Sequence, residues 1–129
     1  MLKPLAVISV LFAAACQPGG EPLPEAALSG VWRLERLNGE TFPERATLDL
    51  TDPARATGQA PCNRWFATRE GNPPDFRFGM FGATRRACIA MGPEQRYLDA
   101  LAGVGAARLH DGRLILTGAD GLSLEFVPQ

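Results

Sequence analysis

Histidine and tyrosine occur once each in this 129-residue chain, Lys3 is its one lysine, and no apolar run approaches the length of a membrane-spanning helix. With His110 as the sole imidazole, no Ser-His-Asp or Cys-His set can be assembled without it, and its place beside Asp111-Gly112 reads as an exposed turn. No nucleophile elbow or phosphate loop is present. The three cysteines include no CxxC pair, so a metal site would have only His110 to add, and a redox dithiol lacks its usual spacing. The formal net charge of -1 argues against broad attraction to nucleic acid. Aspartates and glutamates fall mostly in turns or on outward strand positions. The chain is therefore expected to have no catalytic residue, no metal and no cofactor, a hydrolase built on a carboxylate pair being the enzymatic alternative.

The first residues carry an address. Lys3 supplies a positive start, Leu5 to Phe12 a short apolar core, and Ala13-Ala14-Ala15 the small residues before Cys16. Such a segment is a secretory signal rather than a span of about 20 apolar residues. The cysteine directly after the small residues resembles the lipobox of bacterial lipoproteins, although Ala13 stands where a branched aliphatic is usual. The resemblance implies a signal peptide over residues 1–15 and acylation of Cys16; ordinary cleavage leaving a free thiol is the alternative. Two or three acyl chains anchor far more firmly than one. Residues 16–28 are rich in proline and glycine and are expected to be an extended tether. By resemblance to lipoprotein sorting, Gln17 in place of Asp implies the outer membrane, with the domain facing the periplasm.

One folded domain is expected over residues 29–129. Val31 to Leu37 alternates as a half-buried strand, as does Ala46 to Thr51. Arg55 to Gln59 and Asn63 to Arg69 are the arms of a further pair around Ala60-Pro61, a corner that suits a sheet edge or bulge because proline cannot donate to a ladder. Phe76, Phe78 and Met80 then alternate with Arg77 and Gly79. Gly92 as N-cap, Pro93 at the first helical position and Glu94 at the positive end of the dipole predict a helix with Tyr97, Leu98, Leu101 and Val104 on one face. Asp111-Gly112 and Asp120-Gly121 separate the strands of a closing three-stranded meander. The fold class is α+β: seven or eight strands in a mainly antiparallel, strongly curved sheet or incompletely closed β-barrel with one packed α-helix.

The stretch from Gly58 to Cys88 holds the unusual residues. In an oxidising compartment Cys62 and Cys88 are expected to form a disulfide, stabilising the fold by about 3–4 kcal/mol on the chain-entropy model. Arg64, Arg69, Arg77, Arg85 and Arg86 face only Glu70 and Asp75 in this stretch. They are read first as solvent-facing strand residues and, functionally, as a group that gathers an anion such as a lipid phosphate or an acidic partner surface. Arg64, Trp65, Arg85 and Arg86 are the candidate binding residues. Trp65, Phe66, Phe76, Phe78 and Phe81 are expected to fill the core rather than line a cavity.

Gly30-Val31-Trp32-Arg33-Leu34, Gly58 followed by Cys62-Asn63-Arg64, Thr84-Arg85-Arg86-Ala87-Cys88, then Glu94, Tyr97 and Leu101, and Gly112 to Leu116 together resemble the META domain family, which includes the heat-shock protein HslJ. Pro61 replaces the glycine common before Cys-Asn, and Arg86 a common methionine. The resemblance implies a curved-sheet domain with a packed helix, frequent in secreted proteins and lipoproteins, and no catalytic mechanism. It suggests a monomeric, non-enzymatic lipoprotein, held to the membrane by its lipid and serving envelope integrity or stress tolerance by binding an envelope protein or lipid. The alternatives are a lysozyme-inhibitor-like barrel and a pilotin-like lipid-binding lipoprotein.

Overall fold

Alternation in β1 (Val31–Leu37) turns Trp32 and Leu34 to the inside and leaves Val31 and Arg33 outside. A register shift between Leu34 and Arg36 inserts Glu35 as an extra residue, so that Leu37 rather than Arg36 returns to the core. The computed structural model that shows this describes residue 2 and residues 23–89 and 91–129. The expected signal peptide, apart from Leu2, and the lipidation site Cys16 lie outside the described residues.

The chain continues through β2 (Glu40–Thr41), β3 (Thr47–Asp49), β4 (Arg55–Gln59), β5 (Arg64–Glu70) and β6 (Arg77–Ala83), then helix α2 (Met91–Ala102) and the meander β7 (Val104–His110), β8 (Arg113–Gly118) and β9 (Ser123–Pro128). All pairings are antiparallel, in the order β6-β5-β4-β3-β1-β9-β8-β7, with β2 beside β1. The sheet curls until its two outer strands meet at a single bridge between Asp75 and Ala106. There Phe76 N donates to Gly105 O (3.2 Å) and Ala107 N to Pro74 O (2.8 Å). The rest of the seam is left to α2, whose Tyr97, Ala100 and Leu101 are buried in the same core as Trp32, Leu34, Leu116 and Phe126. The expected α+β class and incompletely closed, strongly curved sheet are what the structure has.

Four local expectations change. The helix starts at Met91, so Gly92 lies inside its first turn instead of capping it; Pro93 still sits where a missing N–H has no helical partner to lose. Val104 opens β7 rather than extending the helix face, and its side chain is buried there. Residues 25–28, read as the end of the tether, form a short helix, α1 (Glu25–Leu28), because Leu28 is fully buried and its carbonyl accepts the Trp32 indole N–H at 2.9 Å. Met80, read as inward by alternation, is 85% exposed. It has φ 45°, and the β5–β6 register passes from Thr68↔Gly79 to Phe66↔Gly82, so Met80 and Phe81 together oppose Ala67. This bulge ejects Met80 and turns Phe81 inward.

Pro61 occupies the β4–β5 turn, closed by Ala60 N donating to Asn63 O at 2.7 Å, so it never has to donate to a ladder. Both Asp-Gly pairs lie in turns with the positive φ they favour: Asp111 49° and Gly112 74°, Asp120 58° and Gly121 76°. No helix among the described residues is long and apolar enough to cross a membrane.

Gly58 is required by close approach. A Cβ there would overlap both the Thr47 carbonyl oxygen and the Trp65 indole. Gly58→Ala is therefore expected to destabilise by about 1–3 kcal/mol through overpacking, whereas Gly92→Ala, which meets nothing within 4 Å, should be neutral or stabilising. Urea unfolding midpoints of the two variants check this; equal midpoints would contradict it.

Candidate binding site

The β4–β5 turn, the strand end after β6 and the first turn of α2 converge on two buried side chains, Asn63 (3% exposed) and Glu94 (2% exposed). Glu94 Oε1 accepts the backbone N–H groups of Cys62 (2.9 Å) and Asn63 (2.5 Å), and Oε2 accepts Asn63 Nδ2 at 2.7 Å. Asn63 spends its remaining capacity on the other side: Nδ2 also donates to Arg86 O (3.0 Å), and Oδ1 accepts Arg86 N (2.6 Å) and the Thr84 hydroxyl (3.0 Å). The same turn is fastened covalently, with Cys62 and Cys88 in a disulfide whose Cα atoms are 6.0 Å apart. Burying a carboxylate costs several kcal/mol unless it is hydrogen-bonded, and here three donors meet it.

A second cluster surrounds Thr47. Strands β3 and β4 share only the pair Asp49↔Thr57, so the wall splays beside Thr47. Side chains stitch the gap: Thr47 O accepts the Tyr97 hydroxyl (2.9 Å) and the Trp65 indole (3.3 Å), while the Thr47 hydroxyl accepts Gln59 N (3.0 Å). Tyr97 is completely buried, which pushes its phenol well above the ordinary tyrosine range, the hydrogen bond with Trp65 opposing this slightly.

These contacts decide the predicted site residues. Trp65, proposed as a binding residue, is 1% exposed and belongs to the core, stacked on Phe81 (5.3 Å between ring centroids) and edge-on to Phe78 (5.7 Å) and Tyr97 (6.3 Å). Phe76 meets Phe78 edge-on at 5.1 Å, so the interior aromatics pack on one another as expected, and only Phe66 of the five points outward, over Gly82. Arg69 is not among the anion-gathering residues either. Its side chain is 4% exposed, donates to Asp52 O (2.8 Å), pairs with Glu25 and lies 5.3 Å over the Phe76 ring, fastening α1 to β5.

Arg64, Arg85 and Arg86 remain exposed. Arg64 borders a groove of about 450 Å³ on the outer face over the splayed wall, with Val31, Asp49, Thr57, Gln59 and Phe66. Arg86 lends Asn63 only its backbone, which leaves its side chain free at the surface. On the opposite flank Arg113 bridges Glu35 and Glu125 (2.8 Å to Glu125), and its guanidinium is held above its usual range by the bond to Glu125 and the charge of Glu35. His110 is the exposed last residue of β7, beside the Asp111-Gly112 turn and 3.2 Å from Asp111. Among the described residues no three His, Cys, Asp or Glu side chains are grouped so as to hold a metal.

Fold and site together define a class: a small α+β module in which a curled antiparallel sheet is locked to one helix by a buried Asn–Glu pair and a disulfide. Residues 26–129 match the META domain, and the chain belongs to that family. The NMR structure of a protein from Burkholderia xenovorans is similar, with 23% sequence identity, a TM-score of 0.64, and coverage of 93% of this chain and 99% of that one; at this identity the likeness is one of fold. Among functionally curated proteins none matches.

Glu94→Gln keeps the shape but turns an amide toward the Asn63 donors, and should cost about 1–3 kcal/mol, seen as a lowered urea midpoint. The raised phenol of Tyr97 gives a second expectation. Its stabilising effect is complete below the unfolded-state value of about 10, and above that stability falls by about 1.4 kcal/mol per pH unit as the unfolded chain alone loses the proton. Because Tyr97 is the sole tyrosine, Tyr97→Phe should be less stable at neutral pH yet lack this alkaline slope, and denaturation series across that range would separate the two.

Proposed function

We propose that the chain is a non-enzymatic, HslJ-like envelope lipoprotein that is processed before Cys16 and acylated there. It is held on the outer membrane with its domain in the periplasm and acts as a monomer. It contributes to envelope integrity or stress tolerance by binding a protein or lipid. The observation that carries this reading is how the buried polar groups are occupied. Both Glu94 oxygens, the Asn63 amide and the Tyr97 hydroxyl are bound to backbone or to each other, so the residues that make the chain recognisable as a family member are used in folding. A general acid or base needs a free oxygen within reach of a substrate proton, and this cluster offers none. The exposed arginines and the outer groove beside Arg64 are available for recognition.

Palmitate labelling tests the anchor. The wild-type chain is expected to incorporate label and to float with membranes; Cys16→Ser should lose both, and a variant that still floats would overturn the anchor. A strain lacking the protein should admit more of a hydrophobic dye after heating, and unchanged uptake would remove the envelope role.

A further inference from the structure

The segment after β6 and the first residue of α2 combine two features that no contact within the described residues absorbs. Ile89 is fully exposed (107%) and Met91 is 39% exposed. An exposed apolar residue alone needs no explanation, but these two follow Arg85 and Arg86 within six residues of chain, and Arg64 lies opposite Thr84, to which its carbonyl is hydrogen-bonded. Ion pairs among the described residues involve Arg69, His110 and Arg113, and none involves Arg64, Arg85 or Arg86.

The backbone is tied down at Arg64, Thr84, Arg86 and Cys88. Arg86 is held through both its N–H and its carbonyl by Asn63, Thr84 N donates to Arg64 O at 2.9 Å, Arg64 N donates to the Thr84 hydroxyl at 3.1 Å, and Cys88 is tied to Cys62. A surface that is already ordered loses little conformational freedom on binding. Guanidinium groups matched to phosphate oxygens, with aliphatic side chains just beyond them, are the composition of a protein surface that sits at the headgroup boundary of a bilayer.

We infer that residues 84–89, with Arg64 and Met91, form a membrane-contact surface for anionic phospholipid: Arg85, Arg86 and Arg64 engage headgroup phosphates and Ile89 and Met91 enter the acyl boundary. This rests on the reading of the chain as a membrane-anchored lipoprotein and adds the orientation of the domain. The N-terminal segment is fastened near Arg69, at one end of β5, and the proposed surface is near Arg64 at the other, about 17 Å away at the usual strand rise. Residues 16–22 can span at most about 25 Å, enough for both to reach one bilayer with β5 lying along it.

The test uses the mature chain and its Cys16→Ser form, each carrying Ile89→Trp, with vesicles containing brominated phosphatidylglycerol or only brominated phosphatidylcholine. Trp32 and Trp65 are 6% and 1% exposed, so quenching by bromine reports position 89. Quenching is expected with phosphatidylglycerol and not with phosphatidylcholine, and Arg85→Glu with Arg86→Glu should weaken vesicle binding of the Cys16→Ser form at least about 25-fold without moving the urea midpoint. An unquenched Trp at 89, equal quenching by both lipids, or arginine variants that bind as before would each overturn the surface, the first leaving an acidic protein as the occupant. If the chain takes up no palmitate but the Cys16→Ser form is still quenched by phosphatidylglycerol, the anchor fails and the surface stands. An acylated, anchored chain without quenching sinks the surface alone.

Discussion

The carboxylate of Glu94 is the contact on which the arrangement of helix and sheet depends. An apolar helix face can slide or rotate against a curved sheet at small cost, since burial is not directional. A buried carboxyl group that accepts from three donors at 2.5–2.9 Å has one satisfactory position. Removing it would also leave the N–H groups of Cys62 and Asn63 unpaired inside the protein, which costs more than the bonds themselves contribute. The disulfide acts at the same turn. It ties the segment after β6 to the β4–β5 turn, three residues ahead of the start of α2.

Thr47 does for the wall of the sheet what Glu94 does for the helix. Where β3 and β4 part, backbone groups would face an apolar interior, and a tyrosine, a tryptophan and the threonine hydroxyl supply the missing partners. Gly58 makes this work by having no side chain, so the indole can lie across β4. The core aromatics are therefore part of the hydrogen-bonded frame as well as its filling, and the interior is packed while the groove lies outside.

Much of this was legible because it is local. Periodicity of two marks β1, β4 and β5, Asp-Gly marks the turns of the meander, and Pro93 with Glu94 marks the helix start to within two residues. What could not be read was non-local. Glu94 looks like a dipole-complementing surface acid until the turn 31 residues earlier is seen against it, and Trp65, flanked by Arg64 and Phe66, looks like a binding residue until Gly58 is placed opposite it. Arg69 is set apart from Arg64 by Glu25, the carbonyl of Asp52 and the Phe76 ring, none of them adjacent to it in sequence. Met80 was misplaced because a bulge shifts strand parity by one and leaves no trace in an alternating pattern.

The position of β1 has a mechanical consequence. It is the first strand, reached from the N-terminal segment through α1, yet it lies inside the sheet with β3 on one side and β9 on the other. Tension entering from that end first loads the Glu25–Arg69 clasp, then pulls β1 lengthwise against both neighbours, so that its ladder bonds are strained together in shear instead of opening one by one like a zip.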